Sequence, residues 1–174
     1  EGDADFDAKG EVARVGLTRI AFDRNDFAAQ FIRRGAGWDV DLWGARLDLA
    51  PWLEADGGDD DDQKGTPVSL SIMVKRVRMG ADSHLDQVSG RLDFDGTVWR
   101  EIELAATPKD GKEMTVALAT KDGKRTLAVA SDDAGAVLRA FGFYDDLVGG
   151  VLDLRGTYDD DAPGRPLNGQ ALIE

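Results

Sequence analysis

Alternation of apolar and polar residues limits the possible folds of this chain more than any other feature. In the segment VSLSIMV, which begins at Val68, aliphatic side chains occupy every second position, and similar alternation recurs between residues 12 and 49. Successive side chains of a β-strand point to opposite faces of a sheet, so this period predicts strands with one apolar and one polar face. Three Asp-Gly pairs predict hairpin turns: Asp95-Gly96, Asp110-Gly111 and Asp122-Gly123. We expect a mainly β fold, with a four-strand meander over residues 88–130.

One segment alone combines a helix with a strand. Ser131 is a suitable N-cap, and apolar residues follow with helical spacing at Ala134, Val137, Leu138 and Phe141. This pattern predicts one short α-helix over residues 132–141, followed by a turn at Gly149-Gly150 and a strand. A four-residue stripe cannot cover about eight strands, so we expect the helix to plug or cap one end of a sheet.

Composition narrows the class of protein. The chain has 174 residues and a net charge of −13, which argues against nucleic acid as its main partner. It has no cysteine, which excludes disulfides and thiolate metal sites. It starts at Glu1 without a methionine and ends directly after a strand-like run. We expect residues 1–174 to be a single β-rich segment of a longer, repetitive protein.

Two runs of aspartate predict solvated loops. Residues 55–66 read ADGGDDDDQKGT and predict a flexible acidic loop. Calcium binding by Asp59–Asp62 is the alternative, although the spacing matches no known ligand loop. The shorter run Asp159–Asp161 gives the same expectation of a solvated loop.

The apolar face of the predicted sheet must be removed from water. Each large apolar side chain left exposed costs about 1.5–3 kcal/mol. The sheet must therefore curl upon itself, pair with a second sheet as a sandwich, or hold an apolar ligand. Alternation alone favours the closed sandwich, because it shows only that one face is dry.

Several motifs, in a fixed order, resemble a known family. They are VSLSIMVKRVRMG at residues 68–80, LDQVSGRLDFDGTVWREIELAA at 85–106, SDDAGAVLRAFGFYDDLVGGVLDLRGTYDDD at 131–161 and PLNGQALI at 166–173. This set resembles the AsmA-like superfamily, specifically its large YhdP-type branch, which is related to the TamB and AsmA bridge-like lipid transfer proteins. The resemblance covers about residues 38–173, and the two aspartate runs depart from it.

The resemblance implies a fold and a function. It implies an antiparallel meander curled into an open, taco-like groove that shields phospholipid acyl chains between the inner and outer membranes. The segment would be periplasmic, within an inner-membrane-anchored protein, with neighbouring segments of the same chain as partners. Nine aliphatic residues are the candidate groove lining: Leu70, Ile72, Val74, Leu104, Val116, Leu118, Val129, Leu152 and Leu154. The alternative is a structural or assembly module with a closed β-core that supports outer-membrane biogenesis.

The sequence supports no catalytic or metal site strongly, and we expect a non-enzymatic protein without a cofactor. The only histidine, His84, lies in a polar run that predicts a loop. Acidic pairs alternate with apolar residues and therefore belong to the wet face: Asp39/Asp41, Asp93/Asp95 and Glu101/Glu103. A carbohydrate hydrolase using Asp39 or Glu101 remains a weak third possibility. The four tryptophans are spread over different elements, which favours packing over a sugar-stacking platform.

Overall fold

The part of the chain that the structure describes forms a single sheet of eleven strands in sequence order. The computed structural model describes residues 1–54 and 65–174. The sheet is open, and the predicted mainly β fold is confirmed. The described residues form one open sheet and not the closed sandwich that alternation alone favoured. The strands are β1 (Gly2–Phe6), β2 (Val12–Phe22), β3 (Asn25–Arg34), β4 (Gly37–Asp48), β5 (Val68–Arg78), β6 (His84–Phe94), β7 (Trp99–Pro108), β8 (Met114–Lys121), β9 (Lys124–Ser131), β10 (Leu152–Tyr158) and β11 (Leu167–Ile173).

Two antiparallel meanders make up the sheet. Strands β1–β4 and β5–β11 each pair antiparallel with their neighbours, whereas β4 pairs with β5 in parallel. A parallel pair needs a crossover, which here begins with the short helix α1 (Ala50–Glu54). The parallel pairing was not predicted, because alternation carries no information on strand direction. The proposed calcium ligands Asp59–Asp62 lie outside the described residues.

The first strand lies ahead of the alternation that begins at Val12 in the sequence. Strand β1 pairs with β2, so that Ala4 lies opposite Val15. Its two aspartates, Asp3 and Asp5, alternate with apolar residues, and Arg14 on β2 binds both. A register shift between Leu17 and Ile20 marks a bulge at Thr18-Arg19 in β2.

Two apolar rows cross one face of the whole sheet, and we call them the apolar band. Each residue of a row pairs in register with the next strand's residue, so all share one face. The first row is Ala4, Val15, Phe31, Val40, Leu70, Leu92, Ile102, Leu118, Leu127, Gly156 and Gly169. The second row is Gly2, Leu17, Ala29, Leu42, Ile72, Gly90, Leu104, Val116, Val129, Leu154 and Ala171. Neither row contains a polar or charged side chain.

The opposite face carries two polar rows between β4 and β7. Asp41, Ser71, Arg91 and Glu103 pair in register on β4 to β7, and Asp39, Ser69, Asp93 and Glu101 form the neighbouring row. This confirms the predicted wet-face position of these carboxylates. Asp95, the remaining member of the predicted pairs, lies in the β6–β7 turn, where its carboxylate accepts hydrogen bonds from the backbone N–H of Thr97 and Val98.

The second helix, α2 (Ala134–Ala140), covers one end of the strands in the second meander. Its N-cap is Asp133, whose Oδ1 accepts a hydrogen bond from the N–H of Ala136, and not Ser131 as predicted. Ser131 instead donates to the carbonyl of Glu113 on the adjoining chain segment. The helix belongs to the one hydrophobic core cluster, whose buried members are Val74, Val77, Leu85, Val88, Ala106, Met114, Ala134, Val137, Ala140 and Leu152. The expectation that the helix caps one end agrees with this packing.

The two glycines after α2 position the helix. Gly149 and Gly150 both have positive φ, at 69° and 87°, and their carbonyls accept hydrogen bonds from the first N–H groups of the helix, those of Gly135 and Ala134. Gly135 itself must lack a side chain, because a Cβ there would lie 2.2 Å from the carbonyl oxygen of Leu147. The chain therefore turns tightly around the helix start before it enters β10.

The two ends of the strands form two rims. The helix rim carries α1, α2 and the β2–β3, β5–β6 and β7–β8 turns. The loop rim carries the β1–β2, β3–β4, β6–β7, β8–β9 and β10–β11 connections. At the loop rim, Arg165 of the 159–166 loop donates to the carbonyl of Thr97 at 3.4 Å. This contact joins connections that lie several strands apart, at about 4.8 Å per strand, so the loop reaches across the sheet's edge.

Candidate functional site

The nine predicted lining residues all lie on the apolar face. Seven belong to the apolar band, while Val74 and Leu152 lie one row closer to the helix rim. Their shared face follows from register, because paired residues on neighbouring strands point the same way. The structure therefore places these side chains on one continuous surface, as a lining role requires.

Burial divides the nine into two groups. Val74, Leu118 and Leu152 are only 2%, 3% and 5% exposed, so other side chains already cover them. The remaining six are half-buried: Leu70, Ile72, Leu104, Val116, Val129 and Leu154. Only this second group keeps surface that a ligand could contact.

The loop rim of the second meander is held by a buried arginine. Arg125, on β9, is 6% exposed, and its Nε lies 2.9 Å from both carboxylate oxygens of Asp160 in the 159–166 loop. It also donates to the carbonyl of Trp99 and stacks over the ring of Tyr158, 4.2 Å from the centroid. One side chain thus ties the loop to β7, β9 and β10.

This ion pair contradicts the expectation that Asp159–Asp161 is merely solvated. The hydrogen bond from Arg125 lowers the pKa of Asp160, and the hydrogen bond to Asp160 raises the pKa of Arg125. Both groups therefore stay charged, so neither charge of this mostly buried pair is left without a partner. The sequence offered no sign of this contact, because the partners are 35 residues apart.

The first meander and the start of β5 leave a wide-open apolar depression at the same face, which we call the cavity. Its volume is about 510 Å³, and its lining is Val12, Val15, Phe31, Trp38, Val40 and Val68. All six side chains are half-buried, and none was among the nine predicted lining residues. The alternation of Trp38, Val40 and Leu42 was the signal that could have identified it, but the opposing strands β2 and β3 had irregular patterns.

An exposed ion pair lies beside this cavity at the loop rim. Arg33 pairs in register with Trp38, and Glu11 directly precedes Val12. The Nη1 of Arg33 lies 2.7 Å from Oε2 of Glu11, with the two side chains 37% and 55% exposed. Arg34, the next residue, instead binds Asp39 on the polar face at 2.8 Å.

The weaker chemical alternatives gain no support from the geometry. His84 is the first residue of β6 and not part of a loop, and its Nε2 lies 3.4 Å from Asp86, whose carboxylate also binds Arg76. Trp38 and Trp43 point to opposite faces of β4, so they cannot form one stacking platform. Within residues 1–54 and 65–174, no group of three or more metal-ligating side chains is clustered.

Neither helix in the described part of the chain has the length and hydropathy of a membrane-spanning segment.

Comparison with known proteins adds no relative. No protein family, no characterised protein and no solved structure matches this chain.

Proposed function

We propose that this chain is a non-enzymatic module whose apolar sheet face shields lipid acyl chains. The observation that supports the proposal most directly is the apolar band, which crosses all eleven strands without a polar side chain. No second layer covers the band among the described residues, and most of its large side chains are half-buried. An acyl chain on this surface would gain burial at about 25 cal/mol per Å² of apolar area.

The composition of the band also suits movement of a lipid along it. Directional hydrogen bonds would hold a ligand at one place, whereas aliphatic contacts are non-directional. Polar groups stay on the opposite face, where Asp41, Arg91 and Glu103 contact water. In line with the family resemblance, we place the module in the periplasm, within phospholipid transport between inner and outer membrane.

Lipid retention by paired variants tests this function. Leu70 lies in the band between Val40 and Leu92, and Ser71 follows it on the polar face. For Leu70→Asp we expect bound phospholipid to fall about ten-fold or more, measured by native mass spectrometry of the purified protein. An acyl chain on this surface would remove the carboxylate from water without giving it a partner. Ser71→Asp, the matched control, keeps its lipid.

Several outcomes would contradict the proposal. Lipid-free wild-type protein, or equal loss in both variants with a folded circular dichroism spectrum, would rule out the apolar band as the lipid surface. Charges at Leu118 or Leu152 are less informative, since both side chains are buried and their replacement would disturb packing under any function.

A structural or assembly role is the second candidate, and the outer edge of β11 favours it. The strand LNGQALI has no charged residue, no proline and no register shift against β10, and all seven residues are exposed. A long, uncharged edge strand can pair with another strand. The other edge, β1, is shorter and carries Asp3 and Asp5. A neighbouring segment of a longer chain is the partner this edge would accept, and wild-type protein that is free of lipid would favour this role.

A further inference from the structure

We propose that the cavity between β2 and β5 binds one alkyl chain of an amphiphile whose zwitterionic headgroup pairs with Glu11 and Arg33. The inference rests on the proposed function, since it names the ligand class and the part of the apolar face that holds it. It differs from the sequence-based lining, because none of those nine residues borders the cavity.

The cavity has the size and chemistry of an alkyl site. Its volume of about 510 Å³ lies inside the range of roughly 300–1,000 Å³ common for small-molecule pockets. Of its six lining residues, only Trp38 carries a polar side-chain atom, the indole N–H. Binding must therefore depend on apolar contact and shape.

The shape favours an extended chain over a compact ligand. The lining comes from four neighbouring strands, from Val15 on β2 to Val68 on β5, which span roughly 14 Å at about 4.8 Å per strand. At the β5 side, the band continues through Leu70 to Leu92. A chain that starts in the cavity can therefore extend along the same apolar surface.

The headgroup preference comes from the ion pair at the rim. Glu11 and Arg33 offer one carboxylate and one guanidinium, both accessible, next to the lining residues Val12 and Trp38. Exposed ion pairs contribute little to stability, so a ligand can exchange with this one at low cost. A guanidinium binds phosphate through paired hydrogen bonds, and the carboxylate accepts an ammonium. Because the two charges cancel, the rim favours a zwitterion over an ion of one sign.

Binding of three amphiphiles with one chain length tests the headgroup. The full chain is titrated, below the critical micelle concentration, with a lysophosphatidylethanolamine, a fatty acid and an alkyltrimethylammonium, and tryptophan fluorescence reports binding. We expect the zwitterion to bind about two- to five-fold more tightly than either ion. Equal affinities for all three would overturn the assignment of the headgroup.

Neighbouring residues on opposite faces supply matched variants. For Phe31→Ala we expect about ten-fold weaker binding of the lysolipid, because a lining ring is lost, and for Ile32→Ala on the polar face less than about two-fold. For Arg33→Gln we expect a loss of about two- to five-fold, while Arg34→Gln, whose arginine binds Asp39, leaves binding unchanged.

The outcomes separate this site from the general function. If the lysolipid binds and Leu70→Asp weakens it while Phe31→Ala and Arg33→Gln do not, the cavity proposal is wrong and the lipid surface lies elsewhere on the band. If no amphiphile binds the wild-type protein, both proposals fail. Circular dichroism spectra confirm that each variant is folded before its affinity is compared.

Discussion

Near the helix rim, apolar residues of β5 to β10 pack with α2 in the core, whereas in β1–β4 the buried hydrophobic residues are only Ala28 and Ala29. The second meander buries large side chains such as Met114 and Val74 to within 2% exposure. In the first meander, Phe31 and Val40 carry similar apolar surface but remain half-buried. The same alternating pattern therefore produces a folding core in one half and an accessible surface in the other.

The difference shows what a cover adds to a two-faced sheet. Where α2 and the 159–166 loop lie over the rims, aliphatic residues stabilise the fold. In β1–β4, beyond α2 and this loop, the same residue types stay half-buried and available to a ligand. This is why the proposed binding site falls in the meander that contributes least to the core.

Truncation of one large side chain in each half should give the largest contrast. For Met114→Ala we expect a loss of about 2–5 kcal/mol in the free energy of unfolding, since a fully buried side chain leaves a cavity. Phe31→Ala should cost clearly less, because its ring is partly in water already. Urea unfolding followed by circular dichroism measures both, and equal losses would mean that the halves share one core.

Removal of the buried arginine should have a smaller effect. For Arg125→Met we expect the free energy of unfolding to fall by about 1–2 kcal/mol. This loss is smaller than for a fully buried ion pair, because Asp160 keeps 26% of its side-chain surface in water. Arg155→Met is the control, because Arg155 binds Asp153 at 2.9 Å on an exposed surface, and its loss should be close to zero. Equal unfolding midpoints for the two variants would show that the loop contact does not stabilise the second meander.

Acid should weaken the second meander by the smallest amount of the three changes. Hydrogen bonds from the backbone N–H of Val98, then from Arg100 and Thr97, lower the pKa of Asp95 from 3.8 to about 2. A lowered pKa in the folded state contributes stability that is present above about pH 4 and lost as the pH falls through about 2. We expect Asp95→Asn to be less stable at neutral pH and to show a shallower fall in stability between pH 4 and 2. Urea unfolding at a series of pH values measures this, and an equal fall in stability for variant and wild type between pH 4 and 2 would contradict it.

Much of the fold could be predicted from the sequence, because its information is local. Alternation, Asp-Gly turns and the helical stripe placed β6 to β11 and α2, and the apolar residues of β5 fell on one face as expected. The parallel pairing of β4 with β5 could not be predicted, since either direction keeps Val40 and Leu70 on the same face. Strand β1 was missed because its alternating pattern is short and its polar positions are aspartates, which bind Arg14 on β2.

The candidate site was harder to predict than the fold. The nine lining residues were chosen from regular strands, and three of them are buried because regular strands are also where the core forms. The cavity depends on Phe31 and Val15, which come from strands with bulges and a weaker pattern. Arg125 and Asp160 meet only because the chain closes a 35-residue interval, and no local pattern reports such a contact.

The register shifts all lie outside the apolar band, and this determines where the chain can change length. The shifts fall between Asp5 and Phe6, Leu17 and Ile20, Asp26 and Phe27, Asp86 and Ser89, and Asp93 and Phe94. A single inserted residue inside the band would turn the rest of that strand over and bring polar side chains onto the apolar face. The strands can therefore gain or lose single residues toward either rim, whereas the band itself admits insertions and deletions only in steps of two.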